Sequence, residues 1–192
     1  MGGDQCLGIK KSDKCNAVFL ADTVPALMAL DARLKIVRKG GERIIPMDEF
    51  YGDSGHPPNL LTASELLAQI LIPRTPVHSF TAFFKDAPRE VVDFALVNLA
   101  MRVTFTDKDG VCDDARIVVG GVTSYPVRAI EGENALKGKK IEAKLIEAVA
   151  ELAVKAPAPI SPIWVTPNQR RATVKHFVKK GLQAALAYQP LR

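Results

Sequence analysis

The chain has 192 residues, 47% of them hydrophobic and 24% charged, and 26 basic against 21 acidic residues give a formal net charge of +5. That is a globular composition, enough for one domain or two small ones. With no apolar run of membrane-span length, no signal-peptide pattern at Met1-Gly2-Gly3-Asp4 and only three cysteines, it excludes a membrane-spanning or disulfide-scaffolded protein and predicts a cytoplasmic one. The basic excess is spread among the acids without any nucleic-acid motif, so it predicts a solvated or docking surface and no nucleic-acid partner.

Cys6 and Cys15, with eight residues between them, precede a short apolar run at 17–21. Asp22-Thr23-Val24-Pro25 then opens a helix. Asp22 sits where an N-cap belongs, Pro25 falls in the first turn where its missing N–H is harmless, and Ala26, Leu27, Ala29 and Leu30 supply an apolar face. Residues 33–39 alternate as a strand with Leu34, Ile36 and Arg38 on one face, Gly40-Gly41 turns the chain, and residues 43–46 return as the second half of a hairpin. Residues 46–51 suit a short helical turn, residues 52–59 a loop anchored by Leu60 and Leu61, and residues 66–72 a strand stopped by Pro73. Pro73-Arg74-Thr75-Pro76 stiffens the chain and forbids continuous secondary structure, which divides it into units 1–75 and 76–192.

In the second unit, residues 78–85 and 94–106 have strand character, and the latter alternates only partly, which predicts cover on both faces of its first half. Asp107-Lys108-Asp109-Gly110 is a hairpin turn, and residues 111–122 form the returning strand with Cys112 as a small core or edge residue. Residues 127–136 predict a short helix ended at Gly138. Ile141, Leu145, Ile146, Val149 and Leu152 form a helical stripe. Residues 157–162 are an extended connector. Thr166-Pro167-Asn168-Gln169 is a capping box that opens a helix burying Val174, Phe177, Val178, Gly181, Leu182 and Ala185; Arg170, Arg171, Lys175, Lys179 and Lys180 face solvent or an acidic partner. Strands followed by helices, with antiparallel connections, give an α+β fold class.

Catalytic motifs are missing: there is no P-loop, GxSxG, HExxH or dinucleotide GxGxxG, and His56, His78 and His176 fall in three different elements. Gly120-Gly121 at a strand end reads as a close packing point. The spacing of Cys6 and Cys15 is longer than zinc motifs prefer and is a weak Fe–S signal by itself.

The run Ala21-Asp22-Thr23-Val24-Pro25-Ala26-Leu27-Met28-Ala29-Leu30-Asp31-Ala32, followed by Gly40-Gly41-Glu42-Arg43-Ile44-Ile45-Pro46, resembles the FAD-binding subunit of the molybdenum hydroxylases. That family includes xanthine dehydrogenase, aerobic carbon monoxide dehydrogenase and 4-hydroxybenzoyl-CoA reductase. The resemblance covers nearly the whole chain, as the C-terminal two-thirds of such a subunit; the family's two glycine-rich pyrophosphate loops lie upstream and are absent. It implies a remnant of the FAD-binding lobe over 1–75 and a C-terminal antiparallel sheet packed with helices over 76–192. It also implies electron transfer between FAD and Fe–S centres, with a molybdenum-cofactor subunit and a [2Fe–2S] subunit as partners.

By the same resemblance Asp22, Leu61 and Lys85 match flavin contacts. Cys6 and Cys15 look like the last two of four ligands to a [4Fe–4S] cluster of the 4-hydroxybenzoyl-CoA reductase kind, on a flexible loop with Gly8, Lys10, Lys11 and Lys14. Plainer readings stand beside these: Asp22 as a cap, Leu61 as a loop anchor, Lys85 as a strand-end lysine, and the cysteines as incidental in a carbon monoxide or xanthine dehydrogenase type. A non-catalytic assembly domain is the alternative from a different class. After Lys85 the chain departs from the family, with Asp86-Ala87-Pro88 where an aromatic-basic pair is common, while Arg89, Glu90 and Asp93 stay in step.

Overall fold

A computed structural model of the chain describes residues 6, 9, 12–89, 92–106, 110–156 and 165–188. The expected features at Met1-Gly2-Gly3-Asp4, Gly8, Lys10, Lys11, Glu90, Asp107-Lys108-Asp109 and 157–162 lie outside the described residues. Helix α1 (Thr23–Ala29) leads into β1 (Arg33–Arg38), β2 (Gly41–Pro46), a 3-10 turn (Met47–Glu49) and β3 (Glu65–Leu71). Strands β4 (Ser79–Asp86), β5 (Val97–Phe105), β6 (Cys112–Gly120) and β7 (Val127–Arg128) follow, then helices α2 (Ile130–Leu136), α3 (Ala143–Ala153) and α4 (Pro167–Ala187). The strands form two antiparallel sheets, ordered β2-β1-β3 and β4-β5-β6-β7. The α+β expectation is met.

All nine residues of β5 are buried, because the strand is covered on both faces. Successive side chains of a strand point to opposite sides. On one side Val97, Leu99, Met101, Val103 and Phe105 join the core formed with α2, α3 and α4. On the other, Ala100 of β5 and Val118 of β6 lie in a second apolar cluster with Val24, Met28 and Ala29 of α1 and Leu34 and Ile36 of β1. Helix α1 therefore packs on the second sheet, across the Pro73–Pro76 segment.

The two ends of α1 are held by polar residues of β5 that flank Ala100. Asn98 Nδ2 donates to Asp22 Oδ1 at 2.8 Å, and Arg102 Nη2 reaches Asp31 Oδ2 at 2.6 Å. The lengths agree: nine residues at helical rise span roughly 13.5 Å, and four residues of strand span roughly 13 Å. Asp31 adopts φ +55° and closes a Schellman motif, with Asp31 N–H donating to Met28 O and Ala32 N–H to Leu27 O, both at 3.0 Å. A non-glycine residue there costs about 1–2 kcal/mol. Asp31 offsets that cost by pairing with Arg102 and, at 2.8 Å, with Arg116 Nε. Asp114 completes the network with Arg102 and Arg116. Burial raises the Asp114 carboxyl, but hydrogen bonds and charge from Arg116 and Arg102 outweigh it and hold the pKa below the usual carboxylate value.

Several local expectations are corrected. Residues 127–136 are not one helix: Val127–Arg128 pairs with β6 and α2 starts at Ile130. Strand β5 starts at Val97, and Phe94 is 69% exposed. The apolar run at 17–21 lies along the end of β6 without joining a sheet, with Phe19 N–H donating to Thr123 O and Gly121 N–H to Phe19 O. The capping box of α4 is present in full. Its basic face is largely occupied within the chain: Lys175 pairs with Glu151 and Lys179 with Glu147 of α3, and Lys180 lies over the Phe84 ring. Arg170 does not face solvent. It is 2% exposed.

Two outcomes follow for stability. Asp31→Asn should lower unfolding free energy by about 2 kcal/mol in urea titration, less than for a fully buried pair because the Asp31 side chain is 39% exposed. No change would mean that Arg102 finds another partner. Because the folded Asp114 pKa is depressed, its stabilisation is present above the unfolded pKa and lost as pH falls through the folded value. Asp114→Asn should therefore flatten the acid limb of stability against pH; an unchanged limb would show that other groups control it.

Candidate functional site

Asp22 marks the start of α1, but its carboxylate makes no capping bond. It is committed elsewhere. Lys85, near the end of β4, places Nζ 2.6 Å from Asp22 Oδ2 and donates to Asp93 O at the same distance. Asn98 accounts for the other carboxylate oxygen and also donates to Ala21 O at 3.3 Å. Two of the expected flavin contacts, 63 positions apart in the chain, thus form one ion pair at the surface, with the Lys85 side chain 28% and the Asp22 side chain 38% exposed. Such a pair is partly screened, yet with Asp93 O it holds the Lys85 ammonium from two sides.

Gly120 makes this closeness possible. A Cβ there would lie 2.2 Å from Asn98 Oδ1 and 2.9 Å from Pro25 Cγ, so a side chain would have to displace the Asn98 amide that holds Asp22 or Pro25 of α1. The next residue, Gly121, has φ +76°, which favours glycine, and turns the chain toward Phe19. The pair serves close packing, as its position suggested. Asn98 Oδ1, buried beside Gly120, has no hydrogen-bond partner.

Leu61 is not part of the ion pair. It is half-buried against the cluster under α1, and its N–H donates to Asn59 Oδ1 at 3.1 Å, while Leu60 is 53% exposed. Cys15 is tied down rather than loose. Its N–H donates to Ser54 Oγ, its carbonyl accepts from Gly55 N–H and Ser124 Oγ, and Lys14 pairs with Asp53. Cys6 is half-buried, with its N–H donating to Ser12 O. Among the described residues no group of three or more His, Cys, Asp or Glu side chains could hold a metal ion, so Cys6 and Cys15 do not by themselves make a cluster site. Cys112 is fully buried, and burial, aided by Asp114 and Asp113, pushes its thiol up to about 12.

The sequence does not single out Asn98, and it gives neither the contact of Asp93 with Lys85 nor the burial of Arg170. Asn98 was legible as a polar position inside an apolar strand. Arg170 lies four residues before the buried Val174, in phase with the buried stripe of α4, which was signal enough to place it inside. Its Nη1 donates to Gly121 O. Beyond Lys85, Arg89 Nε pairs with Asp93 Oδ2 at 2.8 Å. Among the described residues no helix is long and apolar enough to cross a membrane.

Residues 82–185 match the CO dehydrogenase flavoprotein C-terminal domain family, and residues 8–75 match the FAD binding domain in molybdopterin dehydrogenase. The chain is 31% identical over 166 residues to the 6-hydroxypseudooxynicotine dehydrogenase complex subunit alpha of Paenarthrobacter nicotinovorans, covering 86% of this chain and 55% of that protein. It is 33% identical over 141 residues to xanthine dehydrogenase of Oryza sativa subsp. japonica, covering 72% of this chain and 10% of that protein. A carbon monoxide dehydrogenase structure from Hydrogenophaga pseudoflava superposes with a TM-score of 0.77 at 26% identity, covering 85% of this chain and 55% of that one. The chain thus spans about half the length of the first relative and of the superposed structure. It belongs to the FAD-binding subunits of the molybdenum hydroxylases, of the carbon monoxide and xanthine dehydrogenase type.

Proposed function

We propose that the chain forms the flavin-facing part of an electron-transfer subunit, in which the Asp22–Lys85 ion pair sits against FAD and Leu61 supplies an apolar contact. The observation that carries this reading is the ion pair itself, built between the two family-matched regions. The residues present fit a flavin in part. Lys85 is a surface ammonium anchored on two sides, and Asp22 is an acceptor whose second oxygen is held by Asn98. The chain contains no glycine-rich loop of the kind that supplies backbone N–H groups to a pyrophosphate. Bound FAD supplies the redox chemistry. The protein orients the ring and sets the charge beside it, where a cation favours the reduced, anionic flavin and a carboxylate opposes it.

The molybdenum-cofactor and [2Fe–2S] subunits are the proposed partners, and this chain holds no substrate chemistry of its own. Within the family, the carbon monoxide or xanthine dehydrogenase type is supported by the relatives matched and does not need Cys6 and Cys15 as ligands. The 4-hydroxybenzoyl-CoA reductase type is the second reading; it rests on Cys6 and Cys15 and requires two further ligands supplied from outside this chain.

The chain alone should bind FAD weakly or not at all in flavin titration, because its phosphate contacts are incomplete; protein purified yellow with stoichiometric flavin would contradict this. When it is joined to the glycine-loop segment of a relative, FAD should bind, Lys85→Met should make the flavin harder to reduce, and Asp22→Asn should make it easier. Equal potentials in both variants would remove the ion pair from the flavin site. In a chain extended upstream to include the two remaining cysteine ligands that the cluster reading requires, loss of iron on Cys6→Ser or Cys15→Ser would favour that reading, and unchanged iron content would eliminate it.

A further inference from the structure

A pocket of about 570 Å³ is lined chiefly by Val18, Leu20, Phe94, Leu96, Val165 and Arg170. Its volume is in the range of small-molecule sites. Leu20 is 37% and Phe94 69% exposed, so two of its walls remain apolar and wet. Arg170 is the polar group among them. It is 2% exposed, it has no ion pair with a carboxylate among the described residues, its Nη1 donates to Gly121 O, and its buried Nε has no partner.

A guanidinium has five N–H donors, and burying its charge without a counter-ion is costly. Burial alone drives the Arg170 pKa down, which is the signature of a cation short of a partner. The acid in the lining does not supply one. Asp93 accepts from Arg89 Nε through Oδ2 and from Phe94 N–H through Oδ1, both at 2.8 Å. Arg170 also lies close to the start of the 21-residue α4, where the helix dipole favours negative charge.

We propose that this pocket binds a small amphipathic carboxylate, with the apolar body against Leu20, Phe94 and Leu96 and the carboxylate paired with Arg170. The pocket adjoins the Asp22–Lys85 pair, because Asp93 in its lining accepts from Lys85 Nζ through its carbonyl, but its test uses no flavin and so does not depend on the electron-transfer reading. Isothermal titration of the 192-residue chain with 2-naphthoate should show saturable one-to-one binding. The uncharged isostere 2-naphthamide should bind on the order of tenfold or more weakly, the scale of a lost charge-assisted hydrogen bond.

Arg170→Gln should weaken 2-naphthoate binding by a similar factor and abolish the preference for the acid over the amide. Phe94→Ala, at an exposed position that leaves the fold intact, should weaken acid and amide together. If Arg170→Gln does not fold, the acid-against-amide ratio of the wild-type chain and the Phe94→Ala result decide. Absence of saturable binding, equal affinity for acid and amide, or full binding by Phe94→Ala would each overturn the proposal.

Discussion

The docking of α1 on β5 is the constraint from which the candidate site follows. A seven-residue helix is too short to persist alone, so its position must come from tertiary contacts. Ala100 and Val118 provide the apolar floor, Asn98 receives the start of the helix through Asp22, and Arg102 receives its end through Asp31. The apolar contact supplies stabilisation without direction, whereas the two polar anchors fix the register along the strand. Because Asp22 is also the partner of Lys85, the register that seats α1 also sets the position of the surface cation.

This arrangement makes α1 belong mechanically to the second sheet, although in sequence it precedes the first. The β2-β1-β3 sheet reaches the same core through Leu34 and Ile36, and Phe50 and Met47 fill the space below the helix. The site therefore lies where two family-matched regions meet, supported from β4, β5 and β6 together. Gly120 is the point of closest approach, and its lack of a side chain is as much a part of the site as the charges are.

Much of this fold was legible in the sequence because its signals are local. Alternation in residues 33–39, the Gly40-Gly41 turn and the capping box at Thr166 each depend on neighbours in the chain, and each appears where expected. What was not legible depends on distant residues. Asp22 has the chemistry of a cap, and only the approach of Asn98 and Lys85 diverts its carboxylate. Asp31 reads as an ordinary polar residue after a helix until Arg102 and Arg116 arrive from strands about 70 to 85 positions away. The charge of Arg170 points to solvent or an acidic partner, whereas its phase with Val174 points inside, and periodicity prevails over residue type. Strand β7, at two residues, is below the length at which alternation carries information.

The central claim is that α1 and β5 form one cooperative unit that fixes the Asp22–Lys85 pair. Native-state hydrogen exchange tests it most directly, through the amides of Leu30, Asp31 and Ala32, which close the end of the helix on Ala26, Met28 and Leu27. These amides should exchange with the same opening free energy as those of β5, because neither element can open without exposing the shared core. Exchange of the α1 amides at a markedly lower free energy, with β5 still protected, would show a helix that detaches independently and would contradict the account.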